Sequence, residues 1–305
     1  TETQDQPAAN VDLEEFKSLK LDMTQWSYDE DNDCYYQLGI QYCTKPASKS
    51  VNTLSVFVPG KYFSGEKKGS TYVCEMNEKI VVGNFTARTA PIVMPINTAT
   101  LFPQSAPTSY AYEGLAPYLE AGFVYVYAGF RGRSAGYDST TGSDELYAGG
   151  SPWPAVDFKA AVRYLRYNNE LLPCNTSKIF VFGFAAGGGL SAVLGTSGDS
   201  PLYTPYLKAV GAATHSEKGE QLLGHDLRCL LGKAVARFRH DDEAHVGGAA
   251  AANASCDGLG LAQKDAVGLT RHDRGWAGDG RKRRSLYLRL LKHEPQEVHD
   301  VLRLV

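Results

Sequence analysis

No Cys-x-x-Cys pair occurs anywhere in the chain, which removes the support for a zinc site or for thioredoxin-like redox chemistry. Its six cysteines (Cys34, Cys43, Cys74, Cys174, Cys229, Cys256) are too few to brace 305 residues as a disulfide scaffold. No apolar run approaches the length that spans a bilayer, so no membrane span is expected. There is no long basic stripe and the formal net charge is −3, which excludes an evident nucleic-acid surface. Nothing in the pattern calls for a metal or an organic cofactor. The opening TETQDQPAAN lacks both a methionine and an apolar signal core, as in a mature protein whose signal has been removed or in a trimmed chain. The sequons at Asn84 and Asn175 are weak pointers.

Other absences divide the chain. Isoleucine and methionine are missing from residues 214–305, which hold one proline (Pro295), one tyrosine (Tyr287) and one phenylalanine (Phe238). Histidine is missing from residues 1–213; all seven (His215, His225, His240, His245, His272, His293, His299) follow. Strands need β-branched and aromatic alternation, and no strand is legible beyond 213. The best apolar run there, SLYLRLL (285–291), suits a helix equally. Two readings stay open. The stretch is a helical or loop-rich half with its own composition, or it is not the native continuation, as an out-of-frame translation of GC-rich DNA would give. The second is preferred. The expected organisation is a polar N-terminal segment (1–30), a core (31–213) and an atypical tail (214–305).

What is present before the break alternates. CYYQLGIQYCT (34–44) and NTLSVFVPG (52–60) read as an antiparallel start, and APIVMPIN (90–97) as a strand in a sheet centre. GLAPYLEAG (114–122) reads as a short helix and GFVYVYAG (122–129) as a strand. In WPAVDFKAAVRYLRYNNELL (153–172), Val156, Phe158, Val162 and Leu165 form one helical face, with Pro154 in the first turn. Trp153 and Asp157 read as helix-start residues, the acid complementing the helix dipole. KIFVFG (178–183) is a further strand. Strands alternating with helices predict an α/β fold with a mainly parallel central sheet and helices on both faces.

KIFVFGFAAGGGLSAVLG (178–195) is the informative piece: an apolar strand, a tight glycine-flanked turn and a helix. Such a turn carries the nucleophile of G-x-S-x-G, and its strain requires small residues two before and two after the centre. Gly183 and Gly187 stand there, with Gly188 next, but the centre is Ala185, which cannot attack a carbonyl. Three readings fit: a hydrolase elbow with serine replaced by alanine, a dinucleotide fingerprint with Ala185 at its middle glycine, or a structural turn. The first is preferred.

From about Asp33 to Ala213 the chain resembles the bacterial tannase and feruloyl-esterase group of α/β-hydrolases. The likeness rests on YYQLGIQYCTKPA, SVFVPGKYF, APIVMPINTAT, VYAGFRGRSAGYD, GSPWPAVDFKAAVRYLRYN and VFGFAAGGGLSAVLGTSGDSPLYTPYLKAVGA. The family motif G-x-S-x-G-G matches at Gly183, Gly187 and Gly188 and departs at Ala185, and the likeness ends near 213. It implies an α/β-hydrolase fold, incomplete at its C-terminal side. The compartment stays open, with a lean to a secreted or periplasmic bacterial protein. It implies a serine carboxylesterase by descent, without metal or cofactor, for a small and phenolic ester. Without its nucleophile the chain is expected to be inactive. The triad acid and histidine should follow residue 185, but Asp257, Asp273, Asp300, His293 and His299 stand in no family-like context, so both are left unknown. Backbone N–H groups of Ala186 and of the loop Asn97-Thr98-Ala99, with Thr98 preferred, are the candidate oxyanion hole. Arg131 and Arg133 are candidate substrate contacts, a structural role through carboxylates such as Asp138 being preferred. The competing classes are a non-catalytic binding or scaffold protein on the same fold and a dinucleotide-binding domain.

Overall fold

The apolar segments of the sequence pair into one sheet in the computed structural model, which describes residues 13–98, 100–138, 145–223, 227–231 and 234–237. Its strands are β1 (Ser27–Asp29), β2 (Cys34–Gln41), β3 (Thr53–Pro59), β4 (Ile92–Ile96), β5 (Val124–Ala128), β6 (Ile179–Gly183), β7 (Leu227–Leu231) and β8 (Ala234–Arg237). Their order in space is β1-β2-β3-β5-β4-β6-β7-β8. The central pairs β5–β4, β4–β6 and β6–β7 are parallel. The flanking pairs β1–β2, β2–β3, β3–β5 and β7–β8 are antiparallel. The sheet is therefore mixed, not mainly parallel. β2 and β3 are joined by the short segment 42–52, and a parallel pair would need a crossover of a dozen residues or more.

Among the described residues two strands lie beyond residue 213, where none was legible. β7 runs alongside β6 in the register Ile179↔Leu227 and Val181↔Cys229, so β6 is not an edge. LRCLL has no β-branched residue, and a five-residue apolar run is ambiguous until a neighbour fixes it. The rest of the tail, residues 238–305, lies outside the described residues.

Among the described residues four α-helices flank the sheet: α1 (Ala116–Glu120), α2 (Trp153–Tyr167), α3 (Ala186–Ser197) and α4 (Thr204–Ala209). Neighbours in register share a face, so Tyr125, Val93 and Phe180 line one side and Ile96 and Gly183 the other. α1 covers the first, its Tyr118 ring lying 5.2 Å from Tyr125 and 6.3 Å from Phe182. α3 covers the second, Gly187 lying directly against Ile96, and α2 packs on α3 and α4.

Helix α2 does not present the single apolar face read from its sequence. It is buried from Pro154 to Leu165, charged residues included. Each of those finds a partner, as buried charge must. Asp157 pairs with Arg131, the Lys159 ammonium donates to the Gly198 carbonyl, and Arg163 Nη2 lies 2.9 Å from Asp199 Oδ1. The segment read as polar and N-terminal also joins the core from residue 13: Phe16, Leu19, Leu21 and Trp26 are buried. Asn168 fixes it there, donating from Nδ2 to the Leu19 carbonyl at 2.9 Å and accepting the Leu21 N–H at 2.8 Å.

Candidate active site

Between β6 and α3 the backbone turns at Ala185, with φ 50° and ψ −120°. An L-residue with positive φ carries a Cβ that clashes locally, and such a conformation persists only where the surroundings impose it. They do so here through glycine. A Cβ on Gly183 would stand 2.7 Å from the Ile96 carbonyl oxygen and from the Gly187 carbonyl carbon. One on Gly187 would overlap Ile96 O and lie 3.2 Å from Thr98 O, and one on Gly188 would reach Gly183 O at 3.0 Å. All three glycines are the consequence of strand, turn and helix being stacked too closely for side chains. Ala185 and its neighbour Phe184 face outward, Phe184 being 69% exposed.

Ala186 opens α3, where the first-turn N–H groups have no partner within the helix and the helix dipole favours negative charge. The loop after β4 comes to the same place, since Thr98 O lies beside Gly187. Thr98 is buried and its Oγ1 donates to the Phe102 carbonyl at 3.0 Å. The Asn97 N–H donates to Gln104 Oε1 at 2.7 Å, so it has no bond left for a ligand. Ala99 lies outside the described residues.

Arg131 and Arg133 part company. Arg131 is buried and forms a fork on Asp157, Nε to Oδ2 at 2.8 Å and Nη2 to Oδ1 at 2.7 Å, with its backbone N–H on Oδ2 at 2.9 Å. Its guanidinium lies 3.9 Å from the Trp153 ring centroid. Burial pushes the Asp157 carboxyl up from its ordinary value, opposed by the Arg131 hydrogen bonds and charge. Arg131 is thus no substrate contact. Asp157 is not a helix-start acid either, since it stands past the first turn of α2. The carboxylate that braces Arg131 is Asp157; Asp138 Oδ2 accepts the Lys49 N–H at 2.8 Å. Arg133 is exposed, stacks 4.9 Å from the Phe102 ring centroid and donates its backbone N–H to the Leu101 carbonyl at 2.7 Å. The arrangement brings Ala185, Ala186, Thr98 and, one loop away, Phe102 and Arg133 to the carboxyl ends of the parallel strands, where open α/β sheets bind ligands.

One residue, Gln104, escaped the sequence reading, and Asp157 was given a different role. Gln104 had no signal: a lone glutamine after a strand is unremarkable. Asp157 had one, an acid in the middle of an apolar helical pattern, which is uncommon unless it is paired. His215 shares a 3.0 Å hydrogen bond between Nδ1 and Thr214 Oγ1. His293, His299, Asp257, Asp273 and Asp300 lie outside the described residues. Cys34, Cys43, Cys74 and Cys174 are free and buried. Among the described residues no three His, Cys, Asp or Glu gather as metal ligands, and no helix is long and apolar enough to cross a membrane.

The comparisons fall on this region. The family model BD-FAE, of esterase-like α/β-hydrolases, matches residues 145–218, which contain α2, β6, the Ala185 turn, α3 and α4. The Fusobacterium nucleatum tannase structure is similar at 31% identity and TM-score 0.52, covering 64% of this chain and 39% of the tannase. The native tannin acyl hydrolase of Lactobacillus plantarum is similar at 31% identity and TM-score 0.50, covering 64% of this chain and 41% of the hydrolase. The chain thus spans about two fifths of the length of these tannases. No curated protein matches. The likeness read from the motifs is shown: the chain is similar to tannases and to an esterase-like family of α/β-hydrolases.

Proposed function

We propose that the protein descends from serine carboxylesterases acting on small phenolic esters, and that Ala185 occupies the position of the nucleophile. The observation that carries this reading is the backbone of Ala185, held at φ 50° and ψ −120° between β6 and α3 by Gly183 and Gly187. An alanine gains nothing from such strain, whereas a nucleophile on that turn is thrust toward a substrate. The likeness to a tannin acyl hydrolase supports the substrate class.

In this reading the ester carbonyl oxygen lies between the N–H groups of Ala186 and Thr98, and the acyl group extends toward Phe102 and Arg133. Nothing attacks the carbonyl carbon, so the ester is held intact. A site without its nucleophile retains about 10³–10⁴-fold acceleration over water from the oxyanion donors and binding alone. The protein would then act as a ligand-binding protein, which is also the competing non-catalytic class. A dinucleotide-binding role draws no support from position, because the turn follows the sixth strand of the main sheet and not the first of its unit.

The test is hydrolysis and binding by the same preparation. Purified protein should turn over p-nitrophenyl and gallate esters only at a trace, while methyl gallate binding is measurable by calorimetry. Vigorous hydrolysis, surviving a check for contaminating esterase, would place the nucleophile elsewhere. Ala185→Ser is expected to give no rescue, because no acid and histidine are identified around the turn among the described residues.

A further inference from the structure

We propose that Gln104 is the positioning residue of the oxyanion loop, an inference that rests on the ester-site reading above. The paired register of β4 and β5 is Ile92↔Val124 and Val93↔Tyr125, yet β4 runs on to Ile96 and β5 to Ala128. The two strands therefore part at their carboxyl ends, leaving backbone groups that the ladder no longer satisfies. Buried Gln104 fills that split. Its Nε2 donates to the Ala128 carbonyl at 2.8 Å and to the Pro95 carbonyl at 3.2 Å, one on each strand. Its Oε1 accepts the Asn97 N–H at 2.7 Å.

The backbone of Gln104 is equally committed. It exchanges hydrogen bonds with Phe130, N–H to carbonyl at 3.0 Å and the reverse at 2.8 Å. One residue thus anchors both ends of the loop 97–104, the near end through its side chain and the far end through its backbone. Successive N–H groups of an extended chain point in opposite directions. Turning the Asn97 N–H inward onto Gln104 therefore turns that of Thr98 outward, toward the first turn of α3. Only a primary amide supplies two donors and one acceptor from a single planar group. A glutamate of the same shape would face two carbonyl oxygens with a carboxylate, and a leucine would leave the two buried carbonyls and the Asn97 N–H without this partner.

The experiment compares ¹⁵N-labelled protein with Gln104→Leu and Gln104→Glu by amide hydrogen exchange and by calorimetric binding of methyl gallate. The expected result is that Asn97 loses at least ten-fold protection and Thr98 shifts in Gln104→Leu, while amides of the β2–β3 ladder keep theirs. Methyl gallate binding should weaken at least ten-fold. Gln104→Glu should recover Asn97 protection as the pH is lowered, since a protonated carboxyl donates to one of the two carbonyls and holds its other oxygen where it accepts the Asn97 N–H. If Gln104→Leu does not fold, the glutamate variant is read in the same way. Unchanged Asn97 and Thr98 signals overturn the proposal, and so does uniform loss across the sheet, which would mark a general structural role. A parent that binds no methyl gallate, with local loss at Asn97 in the variant, would defeat the ester-site reading and leave the role of Gln104 standing.

Discussion

Gly183 ends strand β6 with its Cα so near the Ile96 carbonyl oxygen that a methyl group added to it would stand 2.7 Å away. The obstacle is backbone on both sides, Ile96 in the adjacent strand and Gly187 in the helix, and neither can rotate aside. Gly183→Ala should therefore lose stability, by about 1–3 kcal/mol, because overpacking exceeds the small gain from a stiffer unfolded chain. Urea denaturation checks this. A variant as stable as the parent would mean that strand and helix are free to separate.

Ala185→Gly should move the other way. Glycine accepts a φ of 50° without the Cβ clash, and relief of strain worth about 1–3 kcal/mol outweighs the extra freedom glycine has when unfolded. The midpoint of denaturation should rise by the equivalent of about 1 kcal/mol. A fall would show that the turn is relaxed with alanine in place.

The pair Arg131–Asp157 gives a third expectation. Asp157→Asn leaves the guanidinium buried and uncompensated, and should destabilise by about 3–5 kcal/mol. Replacing both, as Arg131→Met with Asp157→Leu, should cost less than the single change, with the Arg131 N–H alone left unpaired. A double variant worse than the single would identify the pair as a net source of stability.

Burial pushes the thiols of Cys34, Cys43, Cys74 and Cys174 up to about 12. At pH 8 the native protein should resist alkylation at these four positions and take it up only in denaturant. The sign for stability follows. An unfolded cysteine loses its proton near about 8.5, so the contribution is fully present below that pH and is lost as the pH rises toward the folded value. Denaturation midpoints should fall steadily from about pH 9 upward. Rapid modification of native protein at any of the four would show that its surroundings open.

Where side-chain period or backbone chemistry dominates, the sequence was enough. β4, β5, β6 and the start of α3 fell where apolar runs and glycines placed them, because a central strand is apolar throughout and a strained turn tolerates few residue types. Long-range partnerships were not legible. Asp157 read as a helix-start acid complementing the dipole because its partner is 26 positions away in the chain. Gln104 read as nothing, because its role comes from a gap between two strands that no local pattern announces. β7 was missed for a related reason: LRCLL becomes a strand through β6, not through its own composition. The mixed sheet follows from connection lengths, which were on the page but were outweighed by the alternation of strands and helices.

Helix α2 holds segments far from one another: Asp157 takes the loop after β5, Lys159 the Gly198 carbonyl at the end of α3, and Arg163 the next residue, Asp199. α3 is thereby fastened at its far end while its near end is wedged under Ile96. A helix fixed at both ends cannot slide to let the Ala185 turn unwind. The turn is not a portable motif, then, and a strand-turn-helix cut from this protein and grafted elsewhere would relax unless α2 travelled with it.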